Sequence, residues 1–424
     1  MKLTTNAFTT IAFRGKHAAA AFAAALLFAV PLTGTAQQIG GNLNSSGGFD
    51  DGIGEIRSTL SAYFESRPPI EDTLALRYLV EPAVTYSNRA GEDDERISEV
   101  FFDVQNLYLE VISPGTIADN LVGRLRAGRF RSADRSGLVF DDRLDGLSLS
   151  ADHPRFGLSL LGGYTGLVGE MNSSIAMSAA DAAARADPDE IFAPPRVVLI
   201  AESDFPDFLA RQTLTIGAAA QFDTRDLDDE EVADTVDSQY GSLTFDGPLL
   251  PHTYYELSGA ISAAQVASPE EQEPTALGLA GRAEVEHYVG GGDASVVSLE
   301  GEYAAGLEAE EPGYLPIAPR RPDVLAPPAL SDSIFVKLDY AIRPFSEAPG
   351  AGLRSLEASV YGAAGFRASE PESGDRYQGT ETGLRFAARP LSDLGARAAV
   401  AGVIPPAADE DPEILGRIEL STSF

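Results

Sequence analysis

The sequence contains no cysteine and no tryptophan, and it has very little lysine. Without cysteine the chain forms no disulfide, binds no metal through thiolates and carries no lipid on an N-terminal cysteine. Lysine occurs only at Lys2, Lys16 and Lys337, so arginine supplies nearly all of the positive charge. The formal net charge is −33 at pH 7. A chain this acidic is not expected to bind nucleic acid or an anionic membrane surface.

Long apolar runs are also scarce, and the one exception lies near the N-terminus. Arg14 and Lys16 precede the apolar run Ala18–Val30, which is followed by small residues up to Ala36. This order is typical of a secretory signal peptide, so we assign residues 1–36 to one. The run is about 13 residues long, whereas a spanning helix needs about 20. The mature chain is therefore not expected to contain a transmembrane helix.

The chain beyond residue 72 shows apolar residues at alternate positions, in stretches of about ten residues. That is the length a tilted strand needs to cross a bilayer. In one stretch Val336 and Leu338 share a face, whereas Lys337 and Asp339 lie on the other. Soluble β-sandwiches alternate as well, so the number of such strands decides between the two classes.

The last eleven residues carry the most specific form of this pattern. Ile418, Leu420 and the terminal Phe424 share an apolar face. A final strand that ends on an aromatic residue resembles the closing strand of Gram-negative outer-membrane β-barrels. The resemblance implies that these three residues form the assembly signal read by the barrel-insertion machinery. It also implies that this strand closes the barrel against the first one.

Counting the strands predicts an all-β fold, a transmembrane antiparallel up-and-down barrel of about 16 strands over residues 72–424. With the last strand ending in the periplasm, alternate connections become extracellular, and every connection predicted to exceed about ten residues falls in that set. The predicted turns at the periplasmic end are short. The predicted extracellular loops, which are acidic, are residues 87–98, 131–142, 165–194, 223–235, 267–274, 306–331, 368–377 and 403–413.

The segment between the signal peptide and the barrel is less regular. Residues 37–48 are rich in Gly, Asn and Ser, which is typical of a flexible lead. The spacing of Ile56, Leu60 and Phe64 fits a helix as well as a strand. An extra strand here would make the strand number odd, so we predict that residues 37–71 form a periplasmic lead with a short helix. A strand is the alternative.

Charged side chains fall on the face that alternation assigns to the lumen. Ion pairing that braces the wall and ion selectivity are equally good explanations for them. The predicted pore-lining and selectivity residues are Arg77, Arg124, Arg126, Arg282, Lys337, Arg385, Arg397, Arg417, Glu300, Asp339 and Glu357.

The loop over residues 165–194 is the longest early connection, and its centre, Ser173–Ala186, is rich in alanine. Position, length and composition resemble the third external loop of sixteen-stranded porins. The resemblance implies that the loop folds into the lumen and sets acids opposite wall arginines; a surface flap is the alternative. The predicted constriction residues are Asp181, Asp187, Asp189 and Glu190.

An enzyme is not predicted from the histidines of the mature chain. His153 and His252 fall in short periplasmic turns, and His287 falls at the periplasmic end of a strand. Outer-membrane hydrolases place a catalytic histidine at or near the outer surface. The sequence implies no cofactor and no metal site. The run of acids around Asp223 lacks the spacing of a calcium loop.

The predicted function is a porin-like channel in the outer membrane of a Gram-negative-type bacterium, for passive diffusion of ions or small hydrophilic solutes. One alternative is a substrate-selective exporter or importer for an acidic polymer or sugar. Another is a structural or adhesive barrel whose acidic loops bind divalent cations or lipopolysaccharide. The predicted partners are outer-membrane lipid and lipopolysaccharide, the insertion machinery and small solutes, and whether the barrels form homotrimers stays open.

Overall fold

The architecture was determined from a computed structural model. It describes residues 36–50, 53–67, 69–71, 74–90, 96–115, 120–186, 190–225, 234–268, 275–291, 295–307, 313–325, 330–369, 376–406 and 412–423. The signal-peptide prediction for residues 1–36 lies almost wholly outside these ranges.

The described residues form strands almost throughout. The strands are β1 (Ala36–Asp50), β2 (Ile53–Arg67), β3 (Pro69–Glu71), β4 (Leu74–Ala90), β5 (Arg96–Pro114), β6 (Val122–Ala133), β7 (Asp141–His153), β8 (Phe156–Tyr164), β9 (Arg196–Leu209), β10 (Gln212–Asp223), β11 (Thr235–Leu250), β12 (Thr253–Ala267), β13 (Ala276–Tyr288), β14 (Ser295–Gly306), β15 (Ser333–Ile342), β16 (Glu357–Phe366), β17 (Tyr377–Leu391), β18 (Leu394–Ile404) and β19 (Glu413–Ser423). The helices are α1 (Ala179–Ala186) and α2 (Ala351–Arg354), with 3-10 turns at Glu170–Asn172 and Val289–Gly291.

The sheet closes on itself. Apart from β3, each strand pairs antiparallel with the next strand in sequence, and β2 pairs with β4. Strand β1 pairs with both β2 and β19, from Asn42 opposite Ser423 to Phe49 opposite Gly416. The short strand β3 pairs only with β4, beyond the end of β2. The described residues therefore form a closed up-and-down barrel of 18 strands. The predicted all-β antiparallel barrel is confirmed, although it has 18 strands where about 16 were predicted.

The two additional strands are β1 and β2, so the predicted lead with a short helix over residues 37–71 is wrong. In β2 the exposed Ile56 and Leu60 lie on the outer face together with Phe64. A spacing of four residues is also a multiple of two, so the same residues fit either element. Strand β1 lacks alternation because glycine, asparagine and serine dominate it. Pairing with β2 on one side and β19 on the other holds β1 in the sheet. Local alternation could not reveal this, because β19 is remote in sequence.

The two faces of the sheet differ as the alternation predicts. On the outer face Leu299, Leu338 and Leu384 are 49%, 55% and 46% exposed. Beside them on the inner face lie Glu300 and Lys337, both buried. This arrangement is the reverse of a soluble protein, in which large apolar side chains face inward. The barrel thus presents an apolar outer band and a charged interior.

Most of the long connections lie at the same end of the barrel. One end, here called the turn rim, carries residues 115–121, 154–155, 210–211, 251–252, 289–294, 343–356 and 392–393. The other end, the loop rim, carries residues 91–95, 134–140, 165–195, 224–234, 268–275, 307–332, 367–376 and 405–412. All predicted loops fall at the loop rim. One turn-rim connection, residues 343–356, is longer than the short turns predicted for this end and contains α2.

No helix within the described residues is long and apolar enough to cross a membrane.

Deleting Gln37–Asp50 should prevent assembly of the barrel, because it leaves β2 and β19 with unpaired edges. The measurement is heat-modifiable electrophoretic mobility, in which a folded barrel migrates differently before and after boiling. We expect the folded form to disappear. Removing residues 269–274, between β12 and β13, is the control and should preserve it. An unchanged folded band for the β1 deletion would contradict the closure.

Candidate functional site

The barrel interior is narrowed at its loop-rim half by three connections that fold inward. They are residues 134–140, residues 165–195 and residues 313–325, the last of which we call the crossing segment. Their apolar side chains form one core with the inner wall of β5–β14. The core residues from the three connections are Leu138, Val139, Phe140, Ile175, Met177, Tyr314, Ile317 and Ala318, and those from the wall include Tyr108, Phe130, Leu144, Val198, Ile200, Val236 and Tyr240.

The crossing segment is attached at one end to residues 134–140. The N–H of Ile317 and that of Ala318 donate to the carbonyl of Val139 at 3.1 and 3.0 Å, and Asp141 N–H donates to Ala318 O at 2.5 Å. Arg320 N–H donates to Gly137 O at 2.9 Å. Two connections from distant parts of the sequence thus share backbone hydrogen bonds inside the barrel.

The other end of the crossing segment contacts the opposite part of the wall. The guanidinium of Arg385 on β17 pairs with the carboxylate of Asp323 and donates to its carbonyl at 3.1 Å. Leu325 N–H donates to Glu381 Oε1 at 2.9 Å, and Val324 packs against Tyr361 on the inner wall. Near its start the Tyr240 hydroxyl on β11 donates to Leu315 O at 2.5 Å. The segment therefore runs across the lumen from the β11 side to the β17 side.

Sequence reasoning missed the crossing segment because it lies within a loop predicted to be extracellular. Two signals were present in the sequence. Prolines at positions 316, 319 and 322 favour an extended, stiff backbone. Tyr314, Ile317 and Val324 are apolar residues that a solvated loop does not need, and all three are buried.

The connection over residues 165–195 also reaches the inner wall. Arg57 on β2 donates to the carbonyl of Met171 at 2.9 Å, and Asn172 Nδ2 donates to Asp103 on β5 at 2.5 Å. Because β2 and β5 lie several strands from β8 and β9, these contacts carry the segment across part of the lumen. Arg129 ties it further, with Nη2 donating to Leu167 O at 2.6 Å.

Asp181, predicted to line the constriction, has a different role. Its carboxylate is fully buried and lies 2.7 Å from Arg196 Nη2 and 2.8 Å from Arg225 Nη2. Asp223 completes this buried ion cluster, at 3.2 Å from Arg196 and 2.5 Å from Arg225. The cluster fixes α1 to the ends of β9 and β10, so the prediction that Asp181 faces the pore is wrong. Asp187 and Asp189 lie outside the described residues, and Glu190 is exposed.

The short inward connection is organised by Asp134, which lies beyond the end of β6. Its carboxylate accepts hydrogen bonds from the hydroxyl of Ser136 and from the N–H groups of Val139 and Phe140. Burial raises the pKa of Asp134 above its usual value, and these donors act in the opposite direction. The carboxylate thus accepts hydrogen bonds from backbone N–H groups of a buried turn that have no backbone partner there.

Several of the predicted pore-lining residues form ion pairs within the wall. Glu110, almost fully buried, lies 2.7 Å from Arg126 Nη2 and 3.5 Å from Arg77 Nη1. The Arg126 guanidinium also stacks over the ring of Tyr108, 4.8 Å from its centroid. Arg77 has a second partner in Glu65 at 3.0 Å. This cluster braces β2, β4, β5 and β6 and leaves little cationic surface to the lumen.

A second braced cluster lies on β13, β14 and β15. Arg282 pairs with Glu300 and lies 3.7 Å from Glu302, whereas Lys337 Nζ is 3.5 Å from Glu300. Arg282, Glu300 and Lys337 are all buried. Glu300 stands directly between Glu284 and Lys337 in the cross-strand register. These side chains were predicted as selectivity residues, and their burial favours the bracing explanation.

Positive charge open to the lumen is concentrated on β17, β18 and β19, in what we call the arginine arc (Arg385, Arg397 and Arg417). Arg397 is 77% exposed at its side chain, and its nearest acid, Glu419, is 3.9 Å away. Arg417 is exposed as well. Arg385 is the most constrained of the three. It pairs with Asp339 as well as Asp323, and its guanidinium lies 4.6 Å from the centroid of the Tyr361 ring.

A cavity of about 340 Å³ lies against the arginine arc and under the end of the crossing segment. Asp323, Val324 and Leu325 line one side, and the three arginines line the other. The predicted residue Glu357 also lines it and pairs with Arg343 at 3.1 Å. The remaining predicted cation, Arg124, pairs with Asp152 near the turn rim, and both are about half exposed.

The predicted assembly signal lies on the last strand. Ile418 and Leu420 are 59% and 48% exposed on the outer face of β19. Phe424 lies outside the described residues. Within those residues no group of three or more His, Cys, Asp or Glu side chains is placed to hold a metal ion.

Replacing Asp181 in the buried ion cluster tests whether the cluster holds the inward segment. Asp181→Asn leaves the buried Arg196 and the half-buried Arg225 with one carboxylate, which should cost about 3–5 kcal/mol locally. We expect faster trypsin cleavage after the exposed Arg185 in the folded barrel. The control is Asp152→Asn, which breaks an exposed pair worth about 0–1 kcal/mol. Equal cleavage rates in the two variants would show that the cluster does not hold the segment.

Among known proteins, the chain resembles solved structures but matches no family model and no curated sequence. The solved structures that it resembles include three from Pseudomonas aeruginosa. OccD3 (OpdP) has 12% identity and a TM-score of 0.58, covering 92% of both chains. OccK5 (OpdH) has 11% identity and a TM-score of 0.54, covering 92% of this chain and 98% of that one. OpdK, solved with vanillate, has 10% identity and a TM-score of 0.54 over the same shares.

Proposed function

We propose that the protein is an outer-membrane channel through which small hydrophilic solutes diffuse passively. The observation that carries this proposal is a closed 18-strand barrel with an apolar outer face and a charged inner face whose lumen is narrowed rather than filled. A barrel of this strand number is wide enough to hold water. The resemblance to the Occ/Opd structures of Pseudomonas supports the same function, and small organic solutes such as the vanillate of the OpdK structure are the expected size.

In this proposal the loop rim faces the outside of the cell and the turn rim faces the periplasm. Single-chain bacterial barrels have short periplasmic turns and long extracellular loops. The exposed Ile418 and Leu420 then face lipid, together with the other leucines of the outer band. Contacts with lipopolysaccharide, with the insertion machinery, with divalent cations and between barrels in a trimer remain predictions.

Charge separation across the lumen gives the channel its selectivity. The arginine arc faces β9 and β10, which lie half the circumference of the barrel away from β18 and β19. That side of the inner wall carries five acids over β9–β13, which we call the acid arc: Glu202, Asp204, Asp246, Glu256 and Glu284. Two of them have a cation nearby, since Asp246 pairs with Arg135 at 2.9 Å and Glu284 lies 3.9 Å from Arg282. A transverse field between the two arcs orients small charged solutes and slows apolar ones. In this proposal the inner wall supplies the acids of the field.

A structural barrel is the second candidate, because the inward core fills much of the loop-rim half. Such a barrel would show no steady conductance. An enzyme is not proposed. Among the described residues His287 contacts Thr253 Oγ1 at 2.9 Å and His153 accepts from Arg155 N–H at 3.2 Å, and neither contact is to an acid.

Asp323→Asn should raise single-channel conductance in planar bilayers. The substitution removes the carboxylate that pairs with Arg385 and loosens one end of the crossing segment, whereas the Leu325 contact with Glu381 remains. Asp332→Asn, which removes a carboxylate bonded to Ser369 at the loop rim, is the matched control and should leave conductance unchanged. Wild type without conductance would reject the channel. Equal conductance in wild type and Asp323→Asn would show that the crossing segment does not limit it.

Arg397→Glu combined with Arg417→Glu should shift the reversal potential toward cation selectivity, because both side chains are exposed on the inner wall. Measurement under a salt gradient gives the shift directly. Arg155→Glu, at an exposed position of a turn-rim connection, changes the net charge without altering the arginine arc. A shift as large with one Arg155→Glu substitution would mean that overall charge, and not the arc, sets selectivity.

A further inference from the structure

A second cavity, of about 560 Å³, lies at the turn rim and differs in charge from the rest of the lumen. It opens between the connection of residues 343–356 and the inner wall formed by β17, β18, β19 and β1. Four arginines and two glutamates are its charged residues. The side chains that line it through polar groups are Arg343, Arg354, Arg389, Arg397, Glu357, Glu419, Ser355, Ser421 and Asn44.

The cavity owes its shape to the connection of residues 343–356, the longest at the turn rim. Helix α2 packs tightly on β17, since a Cβ atom at Gly352 would lie 2.8 Å from the carbonyl oxygen of Pro390. The Ser355 hydroxyl donates to Arg389 O at 2.9 Å and accepts from Arg389 N–H at 2.7 Å. These contacts bring Arg354, at the end of α2, to the same cavity as Arg389 on β17.

The arginines of this cavity are not balanced by acids. Arg343 Nε pairs with Glu357 at 3.1 Å, and Arg397 approaches Glu419 at 3.9 Å. Within the described residues no ion pair joins Arg354 or Arg389 to a carboxylate, and both side chains are exposed. Two positive charges therefore remain uncompensated in one cavity.

That excess is unlike the inner wall outside the arginine arc. Arg77, Arg126, Arg282 and Arg385 each have carboxylate partners. The chain as a whole has a net charge of −33, so acids are abundant, yet none besides Glu357 and Glu419 lines this cavity. Two like charges held together repel each other unless an anion lies between them.

We propose that this cavity is a binding site for a small dianion of the phosphate type, either inorganic phosphate or a phosphate monoester. Guanidinium groups donate two parallel hydrogen bonds to such oxyanions, and the uncompensated charge matches a dianion. The volume exceeds that of a bare ion, so a small organic group fits beside the phosphate. Because Arg389, Arg397 and Glu419 project from the inner face of β17–β19, the occupant is a solute of the lumen and not a lipid headgroup.

Binding of inorganic phosphate to the full-length barrel in detergent tests the proposal by isothermal titration at about pH 8 and low ionic strength, where charge screening is weak. The test needs no conductance, so loss of channel activity would not affect its result. We expect phosphate to bind more tightly than acetate, and the combination of Arg354→Ser and Arg389→Ser to weaken it by about tenfold or more. Arg155→Ser, an exposed arginine at the same rim, is the matched control and should bind as wild type does.

Three outcomes would overturn the proposal. The first is no measurable phosphate binding by the folded barrel. The second is equal affinity for phosphate and acetate, which would show that the site does not select a dianion. The third is a loss with Arg155→Ser as large as that with the double substitution, which would mean diffuse attraction by the rim. Heat-modifiable mobility confirms that each variant is folded.

Discussion

Pairing of every backbone hydrogen-bonding group within the sheet is the constraint on which the rest of this structure depends. Lipid around an apolar outer band offers no hydrogen-bond partner to backbone N–H and C=O groups. A sheet with free edges would therefore leave such groups unpaired in the membrane. Strand β1 satisfies the constraint by pairing with β2 on one side and β19 on the other. Its residues have low strand propensity, yet the cost of two open edges outweighs that preference.

In a closed barrel the charged side chains of the inner face lie in the interior. Charges on the inner wall are partly removed from bulk water by the three inward connections, and each needs a partner. The Arg126–Glu110 and Arg282–Glu300 pairs meet this need within the wall, and the Asp181 cluster meets it between a connection and the strand ends. Arginines without close partners occur at the end of the crossing segment and beyond it toward the turn rim. The distribution of unpaired charge therefore follows the positions of the inward segments.

The sequence was sufficient for most of the barrel and insufficient for its interior. Alternation located the strands from β4 to β19, because side chains on the two faces meet different solvents. It failed for β1, whose pairing partner β19 is remote in sequence, and for β2, where Ile56 and Leu60 satisfy both periods. The sequence did not predict the ion pairs of Asp181, because Arg196 and Arg225 come close to it only in the folded chain. The partners of the crossing segment, Val139 and Arg385, are likewise distant in sequence.

The central claim is a water-filled lumen lined by one face of an alternating sheet, and thiol labelling tests it most directly because the chain has no cysteine of its own. Ala399→Cys places a thiol on the inner face of β18 beside the arginine arc, and Ala398→Cys places one on the outer face. In lipid vesicles a charged, membrane-impermeant thiol reagent should modify the variant at 399 and leave the variant at 398 unmodified. Labelling at 398 with protection at 399, or no labelling at either position, would contradict the account.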